Sequence, residues 1–600
     1  MGIAMAVGLG VALALAGSGC RDPEEPPPAG PTSDLDPVGT TPPPPSSTPT
    51  TPPETTDPTD AAFDPTRVIE VALTLDPDDW AALRAQANDP LALLGGDCMS
   101  GPKQTVFTPF EAALTVDGQA FDRVSVRKKG FLGSGSAARP SLKVHLDAYP
   151  DPAGGPDPSW NGVDELTLNN DAQDESRIRT CLAYQVFAGA GIPAPRCNFA
   201  RVVVNGEDLG VYTNVEEVGP AMLGRWFADP TGHLYEGQNS DLRAPFVDTY
   251  ELKGAAGGDR ADLAAAAAAI AVDDPALVAS VEPVIDLDAF YRFWAAEQLV
   301  AHWDGWTNGL NNHFLYHDPE TGRFHPIPWG ADYTFHATDL YLGPDRPASV
   351  SANAILAHRL YGLADQRARY AAAMEDLLAT GWDEAALDAE IDRMVALLAP
   401  VADPLDGRWD AEVAATRAFV DTRRAAIEAE LAVGPADWPY PLGEATCRAD
   451  GGPVSGTFTT RWGTNVDGDP FATGRSTIDV DAPGVLVGSS FAGGASAGDD
   501  PASGFGYRHT LQLLTVFPDG SLQLLYALVA PDAFAPGLAA PLDWQSVFAL
   551  LGEVDPATGS LAQAGYVGSG TMTFDAASVV DGETVSGTFA GRLLVSVPAD

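Results

Sequence analysis

Three oxygen-bearing side chains in the segment 304–332, those of Asp304, Asn312 and Asp332, have the chemistry to bind a hard divalent cation. Carboxylate and amide oxygens are the ligands that Mg²⁺ prefers, and Mg²⁺ often binds phosphate oxygens at the same time. Phosphoryl transfer depends mostly on positioning and charge neutralisation, so a few such residues can support it. The segment therefore predicts a magnesium site suited to phosphoryl transfer.

The elements predicted around these residues would bring the three side chains together. The pattern of DLDAFYRFWAAEQLVAH, residues 286–302, predicts an amphipathic helix, and Asp304 follows its end. NHFLYHDPETGRFHPIPW then predicts a β-hairpin, which starts at Asn312 and ends shortly before Asp332. Protein kinases use the same order of helix, loop acid, amide, hairpin and metal-binding acid, although the spacing from Asp304 to Asn312 is longer than in the usual catalytic loop.

An upstream segment adds a possible phosphate-binding part. VRKKGFLGSGSAARPSLKVHLD contains a Gly/Ser-rich turn followed by a strand that carries Lys143. Kinases cover the nucleotide phosphates with a Gly-rich loop and contact them with a strand lysine. Alternation along the strand places Ser141, Lys143 and His145 on one polar face. That face would line a cleft or, equally well, face solvent.

These segments resemble the spore coat protein H (CotH) kinase family, atypical protein kinases among secreted or surface-associated bacterial proteins. The resemblance spans about residues 66–430 and rests on KKGFLGSGSAARPSLKVHLD, LTLNNDAQDESRIRTCLAYQVFAGAGIPAPR, VVVNGEDLGVYTNVEEV, GHLYEG and NNHFLYHDPETGRFHPIPWGADYTF, in that order. It implies ATP- and Mg²⁺-dependent phosphorylation of a partner protein, usually on serine. It implies that Lys143 holds the nucleotide phosphates and that Glu216 pairs with Lys143. It also implies that Asp304 is the catalytic acid and that Asn312 and Asp332 bind the metal.

One departure from the family pattern concerns the predicted metal site. The family usually ends this hairpin with P-W-D-x-D, whereas this chain reads PWGAD, with Gly330 at the first acidic position. If Asp332 is the essential ligand, Asn308, Asn311 or water would complete the coordination shell and activity would survive. If the missing carboxylate is essential, the chain is a catalytically impaired pseudokinase that acts as a surface scaffold or adhesion lipoprotein.

Composition bounds the domain organisation and the partners. Six hundred residues predict two or more folded units, and a net charge of −48 argues against a nucleic-acid partner, since phosphate binding needs a positive field. The pattern of helices and strands in residues 66–435 predicts an α+β domain, and the family resemblance implies that it is an atypical protein-kinase-like domain. After about residue 440 short alternating strands and Gly, Asp, Ser and Pro turns predict an all-β, sandwich-like domain over 440–600, in which VSGTF occurs twice.

The N-terminal region predicts export. Residues 1–20 have the apolar run of a signal peptide, although without a basic start, and AGSGC resembles a lipobox that would place a lipid on Cys20. The Pro/Thr-rich residues 21–65 contain too few large apolar side chains to form a core and predict a disordered tether. We therefore expect a cell-surface or periplasmic lipoprotein attached to the membrane through Cys20.

Cysteines and histidines were also considered as structural or metal-binding groups. The other four cysteines lack C-x-x-C spacing, and export permits disulfides, with Cys181–Cys197 as the first choice and free buried thiols as the alternative. His313 and His317 would lie about 13 Å apart along one strand, too far to share a zinc ion. Zinc is therefore disfavoured for the histidines of this segment, at positions 302, 313, 317, 325 and 336.

Overall fold

The computed structural model describes residues 57–598, apart from 89, 97, 104–105, 132–133, 135, 150–154, 255–257, 337–345, 403–407, 445, 466–468, 500–507 and 557–560. The predicted signal peptide, Cys20 and most of the predicted tether lie outside the described residues, as does part of the Gly/Ser-rich turn. Within the described part of the chain, no helix combines the length and apolar character needed to cross a membrane.

The first unit is a closed seven-stranded barrel with the order β1-β2-β3-β4-β5-β7-β6, in which β6 pairs in parallel with β1. The predicted hairpin turns at Asp117-Gly118 and Asn205-Gly206 are present, and all four residues have the positive φ of a two-residue hairpin turn. The strands and the helices that accompany them are β1 Val68–Thr74, α1 Pro77–Ala85, α2 Pro90–Leu94, β2 Phe110–Val116, β3 Gln119–Lys128, β4 Leu142–His145, β5 Glu165–Asn169, α3 Arg179–Gly189, β6 Cys197–Val204 and β7 Glu207–Val215.

A four-stranded sheet and a group of helices follow the barrel. The sheet has the order β11-β10-β8-β9, and the predicted hairpin is its β10–β11 pair. The predicted amphipathic helix is α7, which buries Phe290, Phe293 and Trp294 and is capped by the Asp286 carboxylate. The elements are α4 Pro220–Trp226, β8 His233–Gly237, β9 Glu251–Lys253, α5 Ala261–Ile270, α6 Leu277–Val281, α7 Leu287–Leu299, α8 Trp306–Gly309, β10 His313–Asp318, β11 Arg323–Pro328, α9 Ile355–Gly362, α10 Ala364–Thr380, α11 Glu384–Leu398 and α12 Arg408–Leu431.

The C-terminal region is one hydrogen-bonded sheet of ten strands, with β18 also pairing beside β19 and β20. The sheet curls so that its end strand β15 contacts β12 and β13: Thr460 Oγ1 donates to the Ala495 carbonyl (2.8 Å) and Ser476 Oγ donates to the Gly494 carbonyl (2.7 Å). The predicted all-β, sandwich-like domain is a sheet region, and its described strands form one continuous sheet. The elements are β12 Thr446–Arg461, α13 Pro470–Thr473, β13 Arg475–Ala482, β14 Leu486–Ser489, β15 Ala492–Asp499, β16 His509–Val516, β17 Leu522–Val529, β18 Ala539–Leu542, β19 Val547–Val554, β20 Leu561–Ala576 and β21 Thr584–Pro598.

The two VSGTF segments lie side by side in this sheet. Strands β12 and β21 are antiparallel neighbours, and Gly456 faces Phe589 while Gly587 faces Phe458. A side chain at either glycine would meet the opposite phenylalanine, since the ideal Cβ positions lie 2.5 and 2.8 Å from its ring. Each glycine therefore leaves room for the phenylalanine ring of the neighbouring strand. This contact explains why the sequence is repeated.

The two regions are joined through a continuous core and a disulfide. Cys98, which follows α2, is bonded to Cys447 at the start of β12, and the second disulfide is the predicted Cys181–Cys197. At the other end, residues 57–65, assigned to the tether from sequence, include Phe63, which is buried against the barrel. The folded unit therefore begins before residue 66.

Candidate active site

A cavity of about 390 Å³ lies where the barrel, the four-stranded sheet and the C-terminal sheet meet. Four of the five predicted site residues line it: Lys143, Asp304, Asn312 and Asp332. Its size is in the range of small-molecule sites. The fifth predicted residue, Glu216, is not among the lining residues.

A buried carboxylate fixes the loop that carries Asp304. Glu297, near the end of α7, accepts hydrogen bonds from the backbone N–H of Trp306 (2.8 Å) and Thr307 (2.9 Å) and from the Thr307 hydroxyl (2.7 Å). Burial raises the pKa of Glu297 to about 7 against the lowering effect of these bonds. The start of α8 is thus tied to α7, which holds Asp304 between them.

Asp304 and Asn312 are in direct contact. Asn312 Nδ2 donates to Asp304 Oδ2 (2.8 Å), and Asn311 Nδ2 lies 3.2 Å from both carboxylate oxygens. The Asn308 amide donates to the Trp303 carbonyl (2.6 Å) and accepts from the Ser351 hydroxyl (2.5 Å). Of the two amides predicted to complete a metal shell, Asn311 lines the cavity, and Asn308 is not among the lining residues.

Gly330 adopts a conformation that suits glycine. Its φ is +52°, and a Cβ there would lie 2.6 Å from Asn312 Cγ. Asn312 thus occupies the space that a side chain at position 330 would need. Buried His302 donates from Nε2 to the Gly330 carbonyl (3.1 Å) and thereby ties the Asp304 loop to the segment that leads to Asp332. Burial lowers the pKa of His302 to about 4, so this imidazole is neutral at physiological pH.

Asp332 lies at the same end of the β10–β11 hairpin as Asn312. The backbone N–H of Trp329 donates to the Asn312 carbonyl (3.1 Å), which closes that end of the hairpin. Burial, with a smaller effect of Asp174, raises the pKa of Asp332 to about 6, although its backbone hydrogen bonds and Lys129 oppose the shift. A cation bound beside this buried carboxylate would stabilise its ionised form.

Lys143 pairs with two glutamates, neither of which is the predicted Glu216. Its ammonium lies 2.7 Å from Glu165 Oε1 and 3.2 Å from Glu217 Oε1. Lys143 faces Thr167 across β4–β5, and Thr167 faces Val215 across β5–β7. Alternation places Glu217, two residues after Val215, on the same face as Lys143 and sends Glu216 to the other face. The pairing register of β4, β5 and β7 therefore decides for Glu217.

Glu216 forms a separate, buried ion cluster. Its carboxylate bonds Arg196 (2.7 Å to Oε1) and accepts two hydrogen bonds from Arg225. Arg196 also donates a hydrogen bond to the Asp60 carboxylate (2.7 Å), in the residues that precede β1. These contacts fasten the N-terminal segment to β7 and α4, and they correct the nucleotide-binding assignment of Glu216.

The cavity contains further lysines that the sequence reading missed. Lys129, from the KKG segment, lies 6.0 Å from the ring centroid of Trp329 and donates to Asn169. Burial and the neighbouring Lys143 lower the pKa of Lys129 to about 8, because both oppose its charged form. Lys253 also lines the cavity and pairs with Glu236 at 3.0 Å. Buried cations that repel one another favour an anionic ligand between them.

The C-terminal sheet forms one wall of the same cavity. Trp544, Phe548 and Tyr566 line it, and Trp544 packs against Phe131 with ring centroids 4.5 Å apart. No motif in residues 440–600 had indicated a contribution to the site. The contribution depends on packing between regions that are distant in sequence.

Comparison with known proteins identifies the class. Oxygen ligands beside several lysines are the groups that phosphoryl-transfer sites combine. The sequence model described as CotH kinase protein matches residues 126–427, half of the chain. The protein therefore belongs to the CotH kinase family.

Individual relatives agree with this membership. The chain is 28% identical over 191 residues to the inner spore coat protein H of Bacillus subtilis (strain 168), which covers 30% of this chain and 51% of the relative. It is 25% identical over 186 residues to invasin CotH2 of Rhizopus delemar, covering 28% and 31%, and 26% identical over 205 residues to invasin CotH3, covering 30% and 34%. The chain thus spans about half or less of the length of these relatives.

Proposed function

We propose that this protein is an atypical protein kinase that uses ATP and Mg²⁺ to phosphorylate serine side chains of an exported or surface protein. The observation that carries the proposal is the convergence of Lys143, Asp304, Asn312 and Asp332 on one cavity. These residues come from β4, the loop after α7, and both sides of the β10–β11 hairpin. Membership of the CotH kinase family supports the same conclusion.

The donor set fits a hard cation that is carried by a phosphate group. Asp332 and Asn312 would hold Mg²⁺ through oxygen, and Asn311 lies close enough to assist. When bound, Mg²⁺ neutralises charge on the phosphate oxygens during transfer. Lys129 and Lys143 would bind the phosphate oxygens, which relieves the mutual repulsion that their burial creates.

Asp304 is suited to position the acceptor. Its carboxylate is held by Asn312 and Asn311 and lines the open cavity. There it would accept a hydrogen bond from the serine hydroxyl and orient the oxygen toward the terminal phosphate. The aromatic wall of Trp544 and Phe548 would contact the nucleotide base or the acceptor peptide.

The proposed location is outside the cytoplasm, at the cell surface or in the periplasm. Relatives of this chain are named as a spore coat protein and as invasins, names that belong to surface proteins. The signal peptide, the lipid on Cys20 and the tether predicted from sequence would hold the folded region near a membrane.

A second candidate function is a catalytically impaired scaffold. Gly330 favours it, because the first acidic residue of the usual family motif is absent and Asn312 fills the space beside it. In that case the cavity would bind nucleotide without transferring phosphate.

Two measurements on the full chain separate the candidates. A kinase should transfer labelled phosphate from ATP to itself or to a serine-containing protein in the presence of Mg²⁺, and EDTA should abolish the transfer. A scaffold should show a Mg²⁺-dependent thermal shift with ATP but no transfer. Absence of both signals in a folded sample would reject nucleotide binding altogether.

A further inference from the structure

A second cluster of metal-ligating side chains lies at the other end of strand β10, outside the cavity. His317 lies directly opposite His233 in the antiparallel β8–β10 pair. Asp262, in the first turn of α5, completes the group, and the ligand atoms of all three residues lie within 4.8 Å of one another. The cluster is partly exposed, with side-chain exposures of 33%, 29% and 13% for His233, His317 and Asp262.

The distances suit a shared cation. Asp262 Oδ2 lies 2.7 Å from His233 Nδ1 and 3.4 Å from His317 Nδ1. Neighbouring nitrogen and oxygen ligands at about 2 Å from one ion lie roughly 3 to 3.5 Å apart, so small side-chain shifts would produce a coordination shell. Both imidazoles thus direct Nδ1 to the same carboxylate oxygen.

Surrounding contacts orient two of these ligands. His317 donates from Nε2 to the Gly322 carbonyl (3.2 Å), which leaves Nδ1 with its lone pair available. The Tyr235 hydroxyl donates to Asp262 Oδ1 (2.6 Å), so Oδ2 is the oxygen that faces the histidines. A carbonyl behind an imidazole and a donor behind a carboxylate are the contacts that accompany protein metal ligands.

We propose that His233, Asp262 and His317 bind one first-row divalent transition metal, with Zn²⁺ as the first candidate. Two imidazoles and one carboxylate suit Zn²⁺ better than Mg²⁺, and solvent at the partly exposed cluster supplies the remaining ligand. The bound ion would clamp α5 onto the sheet formed by β8 and β10. The spacing of His313 and His317 disfavours a zinc ion shared along one strand, whereas these three ligands come from β8, α5 and β10.

Zinc binding to the full chain tests the site. Chelator-stripped protein is titrated with ZnCl₂ by calorimetry, and Co²⁺ is used as a spectroscopic probe of nitrogen ligation. We expect one equivalent of Zn²⁺ per chain, and the double variant His233→Ala/His317→Ala should bind at least ~10²-fold more weakly. His358→Ala, which removes a partly buried histidine elsewhere, is the matched control and should bind like the wild type.

Two results would overturn the proposal. The first is that the wild-type protein binds neither Zn²⁺ nor Co²⁺ at ~100 µM metal. A site with three protein ligands should bind metal well below that concentration. The other is a folded double variant that keeps the wild-type stoichiometry and affinity. If the double variant does not fold, the Co²⁺ absorption spectra of the wild type and of His317→Gln are compared instead. Loss of one nitrogen ligand must change the spectrum, so identical spectra would contradict the site. Binding should persist in Asp332→Ala, which separates this site from the cavity.

Discussion

The two ends of strand β10 present different chemistry. Near its first residue, Asp304, Asn312 and Asp332 offer only oxygen, within a cavity that also contains buried lysines. Near its last residues, His233 and His317 offer nitrogen beside a single carboxylate at a partly exposed surface. About 13 Å of strand separates the ends. The first set suits a hard cation that arrives with phosphate, and the second suits a transition metal, so the two proposed sites at the ends of this strand would prefer different metals.

The largest expected effect concerns the carboxylates at the cavity end. Asp304→Asn and Asp332→Ala should each lower phosphate transfer by at least ~10²-fold, because each removes a positioning or metal-binding group. The measurement is single-turnover transfer of labelled phosphate by the full chain. Asp437→Asn, a change at a side chain that is 96% exposed, is the matched control and should retain activity. If the wild type and both variants are equally active, the carboxylates near the start of β10 do not take part in catalysis.

Substitutions of the adjacent Glu216 and Glu217 should affect different properties, namely stability and nucleotide binding. Glu217→Gln weakens the pairing of Lys143 in the cavity and should raise the KM for ATP about tenfold. Glu216→Gln disrupts a buried cluster with Arg196 and Arg225 and should lower the free energy of unfolding by about 2 kcal/mol. Denaturant unfolding and steady-state kinetics check both variants. The reverse assignment would show that Glu216 serves the nucleotide after all.

Introducing the acidic residue of the usual family motif should lower phosphate transfer. Gly330→Asp places a Cβ against the Asn312 amide and forces a residue into positive φ, so we expect phosphate transfer to fall about tenfold. Gly330→Ala tests the backbone and Cβ effect without a charge. If Gly330→Asp is more active than the wild type, Asn312 moves aside in the variant. The wild-type metal site would then be one that has lost the first of two carboxylates.

The pH dependence of stability should reveal the strained carboxylate. The pKa of Asp332 is about 6 in the folded protein and near 4 in an unfolded chain, so its contribution to stability is retained below pH 4 and lost as pH rises through 6. Metal-free Asp332→Asn should therefore match wild type at pH 4 and exceed it by about 2 kcal/mol at pH 7. Denaturant melts at both pH values measure this difference, and a constant difference would contradict the shifted pKa.

The smallest expected effect concerns the aromatic wall. Trp544→Ala should raise the KM for nucleotide or acceptor severalfold and leave single-turnover transfer at saturation near wild type, because the indole lines the cavity and carries neither a charge nor a metal ligand. Trp462→Ala, another buried tryptophan of the same sheet outside the cavity lining, controls for loss of packing. Identical KM values in both variants would show that the sheet only supports the fold.

Local patterns predicted most individual elements. The turns at Asp117-Gly118 and Asn205-Gly206, the helix α7 and the hairpin β10–β11 follow from turn chemistry and hydrophobic periodicity, which act over a few residues. The curling of the C-terminal strands into one sheet was not predictable, because strand patterns do not reveal which edges meet. The joining of that sheet to the cavity likewise required the packed structure.

The sequence by itself determined the family and the hairpin, because the order of motifs along the chain survives in any packing. It also predicted Lys143, Asp304, Asn312 and Asp332 as site residues, and all four line one cavity. Tertiary structure decided which neighbours face them: Glu217 rather than Glu216, Lys129 just after β3, and Trp544 from the C-terminal sheet region. It also brought His233, Asp262 and His317 together. Side-chain direction depends on strand pairing and on contacts between distant segments, and these are fixed only when the chain is packed.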